Sequence, residues 1–110
     1  MRKDVLIVVA GTELDDVNTE VVTGTLEDYQ KIVGGYIENV CLPGLIEKDI
    51  ILVANEEGLL KGLPLNENLN PFVIVGQVFF VGRGEEDYVS LTAEQLHYVT
   101  EWLEGLEAHR

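Results

Sequence analysis

Residues 72–81 form the stretch that most constrains the fold of this chain. Eight of the ten residues from Phe72 to Val81 are apolar, and most are β-branched or aromatic. This composition predicts a strand with both faces buried, in the interior of a sheet. Gly76 and Gln77 interrupt the run at its centre, where a bulge would let one long strand bend. Because the stretch carries no nucleophile, metal ligand or proton-transfer group, it predicts an architecture and not an activity.

Four shorter apolar segments predict further strands. They lie at residues 5–10, 20–23, 36–42 and 49–54. The last of them is followed by Asn55-Glu56-Glu57-Gly58, which predicts a hairpin with a four-residue loop before Leu59 and Leu60. A shorter extended segment is expected at 88–90. Cys41 is the only cysteine and is interpreted as a buried structural thiol.

Two helices are predicted from their capping signals. Thr25, followed by acidic residues, is typical of an N-cap and predicts a short helix near 25–34 that ends at Gly34-Gly35. Thr92 and Gln95 have the spacing of a capping box and predict a C-terminal helix near 92–107. The fold class is therefore α+β, with one mixed or antiparallel sheet and two helices. A length of 110 residues predicts a single domain over residues 1–110.

The net charge of −13 is the most unusual global property of the chain. A field of this sign repels phosphate backbones and anionic membranes, so direct nucleic-acid or membrane binding is disfavoured. The apolar runs are also shorter than the roughly 20 residues that span a bilayer. A basic protein partner would be attracted instead, although the same charge also serves solubility alone. The lone cysteine agrees with a reducing compartment, which predicts a cytoplasmic location.

Two long segments without a basic residue carry most of the acids. One lies between Lys3 and Lys31, and the other follows Arg83. Within these segments we expect the acids in two exposed turns to bind a partner: Asp15, Asp16, Glu85, Glu86 and Asp87. If the fold brings both segments to one side, their summed potential would speed the encounter with a basic groove.

Three ordered motifs in the middle of the chain resemble a known family. They are Val33-Gly34-Gly35-Tyr36-Ile37-Glu38, Asn55-Glu56-Glu57-Gly58 and Gly62-Leu63-Pro64-Leu65-Asn66. In sequence and spacing they are similar to the DUF3846 family, a domain of unknown function found in phages, plasmids and Gram-positive bacteria. The resemblance covers about residues 25–100, so the acidic segment before Thr25 lies outside it. It implies a small α+β accessory protein of a phage or mobile element, where such genes often encode inhibitors of host defence.

Two functions follow as hypotheses. The first is a non-enzymatic protein that counteracts a host defence by stoichiometric binding to a nucleic-acid-handling host protein, such as a nuclease. The alternative is a homo-oligomer that sequesters a small nucleotide-like signalling ligand. Residues of or near the family motifs would then bind the ligand: Tyr36, Glu38, Asn55, Lys61 and Asn66.

Catalysis, cofactors and metals are not predicted. No nucleophile, base and orienting group can be proposed together, so the chain is not expected to be an enzyme. His97 and His109 lack the spacing of a metal site. A homodimer is a further hypothesis. If the helices cover one face of the sheet only, Val73, Val75 and Phe79 would include side chains that a second copy could bury.

Overall fold

One antiparallel sheet forms the centre of the fold. The computed structural model describes residues 4–109. Within them the sheet has six strands: β1 (Asp4–Ala10), β2 (Val17–Thr23), β3 (Ile37–Val40), β4 (Ile50–Asn55), β5 (Val78–Arg83) and β6 (Tyr88–Val89). The order is β2-β1-β5-β4-β3, with β6 paired to the end of β5. All of these pairs are antiparallel, which confirms the predicted α+β class.

The first helix, α1 (Leu26–Val33), begins and ends as its capping residues predict. The Thr25 hydroxyl accepts a hydrogen bond from the backbone N–H of Asp28 at 3.2 Å. Gly34 ends the helix in the left-handed region, with φ 80°, a backbone conformation that residues with a Cβ rarely adopt. The backbone N–H of Gly34 donates to the carbonyl of Gln30 at 2.8 Å, so the last turn is closed.

The second helix, α2 (Ala93–Ala108), starts at a complete capping box. The side chain of Gln95 accepts from the backbone N–H of Thr92 at 2.9 Å, and the Thr92 hydroxyl accepts from that of Gln95 at 3.1 Å. Single turns of 3-10 helix lie at Ile46–Lys48 and Glu67–Leu69. No helix among residues 4–109 is both long and apolar enough to cross a membrane.

The central strand is interior, but it is shorter and later than predicted. β5 lies between β1 and β4, with Phe80 opposite both Val8 and Leu52. The expectation of one strand from Phe72 to Val81, bulged at Gly76 and Gln77, is wrong for its first half. Gly76 has φ 81°, and its N–H donates to the carbonyl of Pro64 at 2.8 Å. Residues 72–77 therefore fold back on residues 64–66 as a loop.

The two helices cover opposite faces of the sheet. Tyr29 and Val33 of α1 pack on the face that contains Phe79. Val99 of α2 packs on the face that contains Phe80, together with the loop before β5. Adjacent side chains of a strand point to opposite faces, so this arrangement buries both phenylalanines completely. Two cores, one on each face, stabilise the sheet.

This two-sided covering removes the basis of the dimer expected from a bare sheet face. Phe79 has no exposed surface, and Val75 is half-buried. Of the three residues proposed for the dimer, only Val73 is exposed, to 80%. Self-association through a whole sheet face is therefore no longer expected.

Three smaller expectations also need correction. The segment after Asn55 is a series of turns and no hairpin strand forms there, because the remaining edges of β4 are already paired with β3 and β5. β2 begins at Val17, earlier than expected, and makes a long hairpin with β1. Cys41 is exposed, because it follows β3 at the rim of the sheet while the next residue, Leu42, points into the core.

Candidate binding surfaces

The acids predicted to bind a partner lie at opposite ends of the sheet. Asp15 and Asp16 belong to the turn after Ala10, which pairs with the first residue of β5. The acids at 85–87 belong to the turn that follows the last residue of β5. The 6 residues of β5 separate the two groups by about 20 Å, at about 3.3 Å per residue. This is more than twice the Debye length of about 8 Å at physiological salt, so the five acids do not form one surface.

At the end that carries Glu86 and Asp87, side chains from α1, β3 and β6 surround a cleft of about 350 Å³. We call it the tyrosine cleft. Its lining residues are Gly24, Leu26, Tyr29, Ile37, Asn39, Glu86, Asp87 and Tyr88. None of these residues is basic. Any cation that enters therefore meets carboxylates without a competing positive charge.

The two tyrosines of this cleft are held by packing against the core. The Tyr29 ring stacks on Phe79, with centroids 5.4 Å apart, and meets the edge of Tyr88 at 5.1 Å. The Tyr88 hydroxyl donates a hydrogen bond to the side-chain oxygen of Asn39. This bond ties β6 to the edge strand β3 across the cleft, so the cleft has fixed walls.

The hydroxyl of Tyr29 is different, because it makes no hydrogen bond with any residue of the described range. Tyr29 is only 6% exposed. No fully buried side-chain polar atom in residues 4–109 lacks a partner. The Tyr29 hydroxyl must therefore keep contact with solvent, and it lies close enough to Asp87, a lining residue of the cleft, for that charge to act on it. It is the accessible polar group of a nearly buried side chain, and it is available to a ligand.

The electrostatics of the cleft keep both tyrosines protonated. Burial, and then the charges of Asp87 and Asp28, raise the pKa of Tyr29 above the usual 10.0. Burial, and then the neighbouring Tyr29, raise the pKa of Tyr88. Both effects disfavour a phenolate next to low-dielectric core and carboxylates. At neutral pH the Tyr29 hydroxyl can therefore donate to a carboxylate or accept from a cation.

These shifts predict a loss of stability at alkaline pH. The folded protein keeps a proton on Tyr29 that the unfolded chain loses near pH 10, so this contribution is complete below pH 10 and is lost as pH rises through the folded pKa. We expect the Tyr29→Phe variant to lose less unfolding free energy than the wild type above pH 10. The difference in absorbance at tyrosinate wavelengths between the two proteins gives the folded pKa of Tyr29. A midpoint at or below 10.0 would contradict this account.

The opposite end carries a smaller acidic cleft of about 170 Å³, between the first hairpin and the last turns of α2. We call it the hairpin cleft. Asp15, Glu104 and Glu107 contribute its carboxylates, and no basic residue lines it. The N–H of Asp15 donates to the side chain of Asn68 at 2.8 Å, which fixes the turn in its left-handed conformation, φ 68°. Because a helix C-terminus favours cations, acids at this position leave the site complementary to a positive charge.

Four of the five residues proposed for a small ligand lie near one another, by the edge strand β3. Asn55 is buried, and its amide donates to the carbonyl of Val33 at 3.1 Å and accepts from the N–H of Glu57 at 2.8 Å. Lys61 approaches Glu57 at 4.0 Å. A Cβ on Gly35 would lie 2.8 Å from the ammonium of Lys61 and 2.9 Å from the amide nitrogen of Asn55. The Asn55 amide thus stabilises the turn, and the Lys61 ammonium lies against Gly35 within it.

The other three residues proposed for the small ligand lie in different environments. Tyr36 is 62% exposed, beside the same turn. Glu38 lines a groove of about 440 Å³ next to β3, where Leu59, Leu60 and Val73 are largely exposed. Asn66 has no exposed surface and bonds to backbone carbonyls within its own loop and in β1.

The sequence predicts the acids of the tyrosine cleft as binding residues but not its tyrosines. Tyr88 falls in the extended segment expected at 88–90, and no sequence pattern predicts a binding role for Tyr29. Asn39 was not singled out at all. These three residues come from separate elements, so no local pattern shows that they meet. Within residues 4–109, no group of three or more His, Cys, Asp and Glu side chains is arranged to hold a metal ion.

Comparison with known proteins gives a family and no activity. Neither the curated proteins nor the solved structures contain a match to this chain. The sequence model of DUF3846, a domain of unknown function, matches residues 1–104. The match extends beyond the motif-bearing region and includes Asp15 and Asp16, so the expectation that the segment before Thr25 lies outside the family is wrong. Because the match covers nearly the whole chain, the protein belongs to the DUF3846 family.

Proposed function

We propose that this protein is a non-enzymatic inhibitor that binds, in a fixed stoichiometry, to a basic surface of a host protein that handles nucleic acid. In this proposal it is an accessory protein of a phage or mobile element, and it acts in the host cytoplasm against a defence factor such as a nuclease. The observation that carries the proposal is the pair of acidic clefts, one at each end of the sheet, neither of which has a basic lining residue.

The charge distribution supports a protein partner over a nucleic acid. Basic grooves that track phosphate backbones present rows of lysine and arginine. An acidic protein surface can occupy such a groove, and long-range attraction raises the rate of encounter. Because the two ends are about 20 Å apart along β5, one partner groove can engage either one end or both.

The small-ligand alternative has less support from the geometry. A nucleotide-like ligand needs positive groups for its phosphates, but Lys61 lies near Glu57 and the groove beside it carries Glu38 and Glu56. Asn55 and Asn66 already use their amides in hydrogen bonds to backbone. The groove therefore lacks the charge that the alternative requires.

Charge reversal at one end at a time tests the proposed inhibitor. One variant carries Glu85→Lys, Glu86→Lys and Asp87→Lys. The matched variant carries Asp16→Lys, Glu104→Lys and Glu107→Lys at the other end, and keeps Asp15 because its positive φ disfavours lysine. All six residues are exposed, so both variants should stay folded. We expect the first variant to inhibit purified bacterial defence nucleases at least about tenfold more weakly than the wild type.

The salt dependence and the second variant supply the controls. Inhibition by the wild type should weaken as ionic strength rises, and the variant reversed at 85–87 should lose most of that dependence. The variant reversed at the hairpin cleft shows whether a given target also uses that end. Inhibition that both folded variants retain in full, or that is independent of salt, would refute the proposal.

A further inference from the structure

The tyrosine cleft has the chemistry of a receptor for one cationic side chain. Its side-chain polar groups are the carboxylates of Glu86 and Asp87, the hydroxyls of Tyr29 and Tyr88, and the Asn39 amide. The Asn39 oxygen is already bonded to Tyr88. The carboxylates accept hydrogen bonds only, and the free hydroxyl can accept one more. An anion would be repelled, and an apolar group would bury these carboxylates without a partner.

Tyr29 makes this more than a cluster of surface acids. Only 6% of the Tyr29 surface is exposed, and its hydroxyl has no hydrogen-bond partner among the described residues. Packing on Phe79 holds the ring in place, so the solvent-contacting hydroxyl stays in position to bond a ligand group that replaces the solvent. The raised pKa of Tyr29 keeps the proton in place, so the hydroxyl can orient its lone pairs toward an entering donor.

We propose that the tyrosine cleft binds the guanidinium of an arginine side chain of the partner. Arginine presents five donors in a planar fork, which can bond the carboxylate of Asp87 and the Tyr29 hydroxyl at the same time. Guanidinium is also less strongly hydrated than ammonium and makes favourable contacts with aromatic rings. Lysine offers one point charge and fits this set of acceptors less well.

The size and rim of the cleft agree with a single side chain. A volume of about 350 Å³ is at the lower end of the range for small-ligand pockets, about 300–1,000 Å³. Leu26 lies at the rim and is 58% exposed, so it offers an apolar contact for the methylene groups of an arginine. This inference rests on the proposed function for the identity of the partner, but the site itself can be tested without one.

The test is a titration of the full chain with small probes, followed by amide chemical shifts. The probes are the blocked amino acids N-acetyl-arginine methylamide, the lysine equivalent and the citrulline equivalent, which keeps the shape of arginine without its charge. We expect saturable shifts at Leu26, Asn39 and Asp87 with the arginine probe, at least about fivefold weaker binding of lysine, and no binding of citrulline.

Two substitutions and one control variant distinguish binding in the tyrosine cleft from non-specific attraction to an acidic protein. Asp87→Asn and Tyr29→Phe should each weaken arginine binding by about tenfold, the typical cost of one charge-assisted or buried hydrogen bond. Glu104→Gln, in the hairpin cleft, should leave it unchanged. Equal binding of lysine and arginine, shifts spread over both ends, or an unchanged affinity in Asp87→Asn would each overturn the inference.

Failure of the arginine site and failure of the proposed inhibitor function give different results. If the arginine probe does not bind but charge reversal at 85–87 abolishes nuclease inhibition, the arginine site is wrong and the inhibitor proposal stands. If the probe binds as expected but no nuclease is inhibited, the arginine site stands and the inhibitor proposal fails.

Discussion

Replacing Phe80 with alanine is expected to lower the free energy of unfolding by about 3–5 kcal/mol. Phe80 is completely buried at the centre of the sheet, opposite Val8 on one neighbouring strand and Leu52 on the other. Its ring meets Trp102 of α2 at 6.0 Å, at an angle of 69°. The substitution leaves a cavity between sheet and helix that the paired strands cannot close. The total free energy of unfolding of a native protein is about 5–15 kcal/mol, so this loss is a large part of the total.

Denaturant titration of Phe80→Ala measures this loss, and Val73→Ala is its control. Val73 belongs to the same apolar stretch of sequence, but it is 80% exposed in the loop before β5. Its replacement should change the unfolding free energy by less than about 0.5 kcal/mol. The sequence alone treats these two positions alike, whereas the structure separates them. Similar losses in both variants would contradict the assignment of 72–77 to a loop.

The helices were predictable because their signals are local. Thr25 and Gly34 cap α1 within the reach of one or two turns, and the hydrogen bonds of Thr92 and Gln95 span three residues. Such contacts depend little on the rest of the fold. The apolar segments of the sequence also predict the strands and the burial of β5 on both faces, since both reflect which side chains must avoid water.

The start of β5 was not predictable, because a distant residue sets it. The apolar run from Phe72 is interrupted only by Gly76 and Gln77, a signal that fits a bulge within one strand as well as the end of a loop. What stops the strand at Val78 is the pairing of residues 64–66 with residues 74–76, including the isolated bridge between Leu65 and Val75. The buried side chain of Asn66 supports this pairing, because it also bonds the carbonyl of Gly76. The pattern of apolar residues in the sequence does not predict that hydrogen bond.

The candidate site shows the same division. Glu86 and Asp87 could be found as an acidic turn, because exposed acids next to glycine are a local signal. That Asp15 and Asp16 lie at the other end of the sheet follows from strand order, which pairs β5 with β1 in antiparallel register. The meeting of Tyr29 with Tyr88 depends on the same order, since α1 must cover the face of Phe79.

Replacing Asn66 with alanine is the second substitution from which we expect a large loss, about 2–4 kcal/mol of unfolding free energy. The side chain donates to the carbonyl of Ala10 at 3.1 Å and to that of Gly76 at 2.9 Å, and it accepts from the N–H of Asn68 at 3.1 Å. Each buried partner left unsatisfied costs about 1–3 kcal/mol. Asn66→Asp should be at least as damaging, because a carboxylate oxygen would then face two carbonyl oxygens.

Asn18→Ala is the control for this substitution, since Asn18 is exposed on β2 and should change stability by less than about 0.5 kcal/mol. Amide hydrogen exchange locates the effect: the N–H groups of Asn66 and Gly76, which bond to Ile74 and Pro64, should exchange faster in Asn66→Ala. If Asn66 instead acted mainly on a bound ligand, Asn66→Ala would unfold at the wild-type denaturant midpoint and lose only binding. That result would restore Asn66 to a ligand site and contradict its role as the residue that holds residues 72–77 out of the sheet.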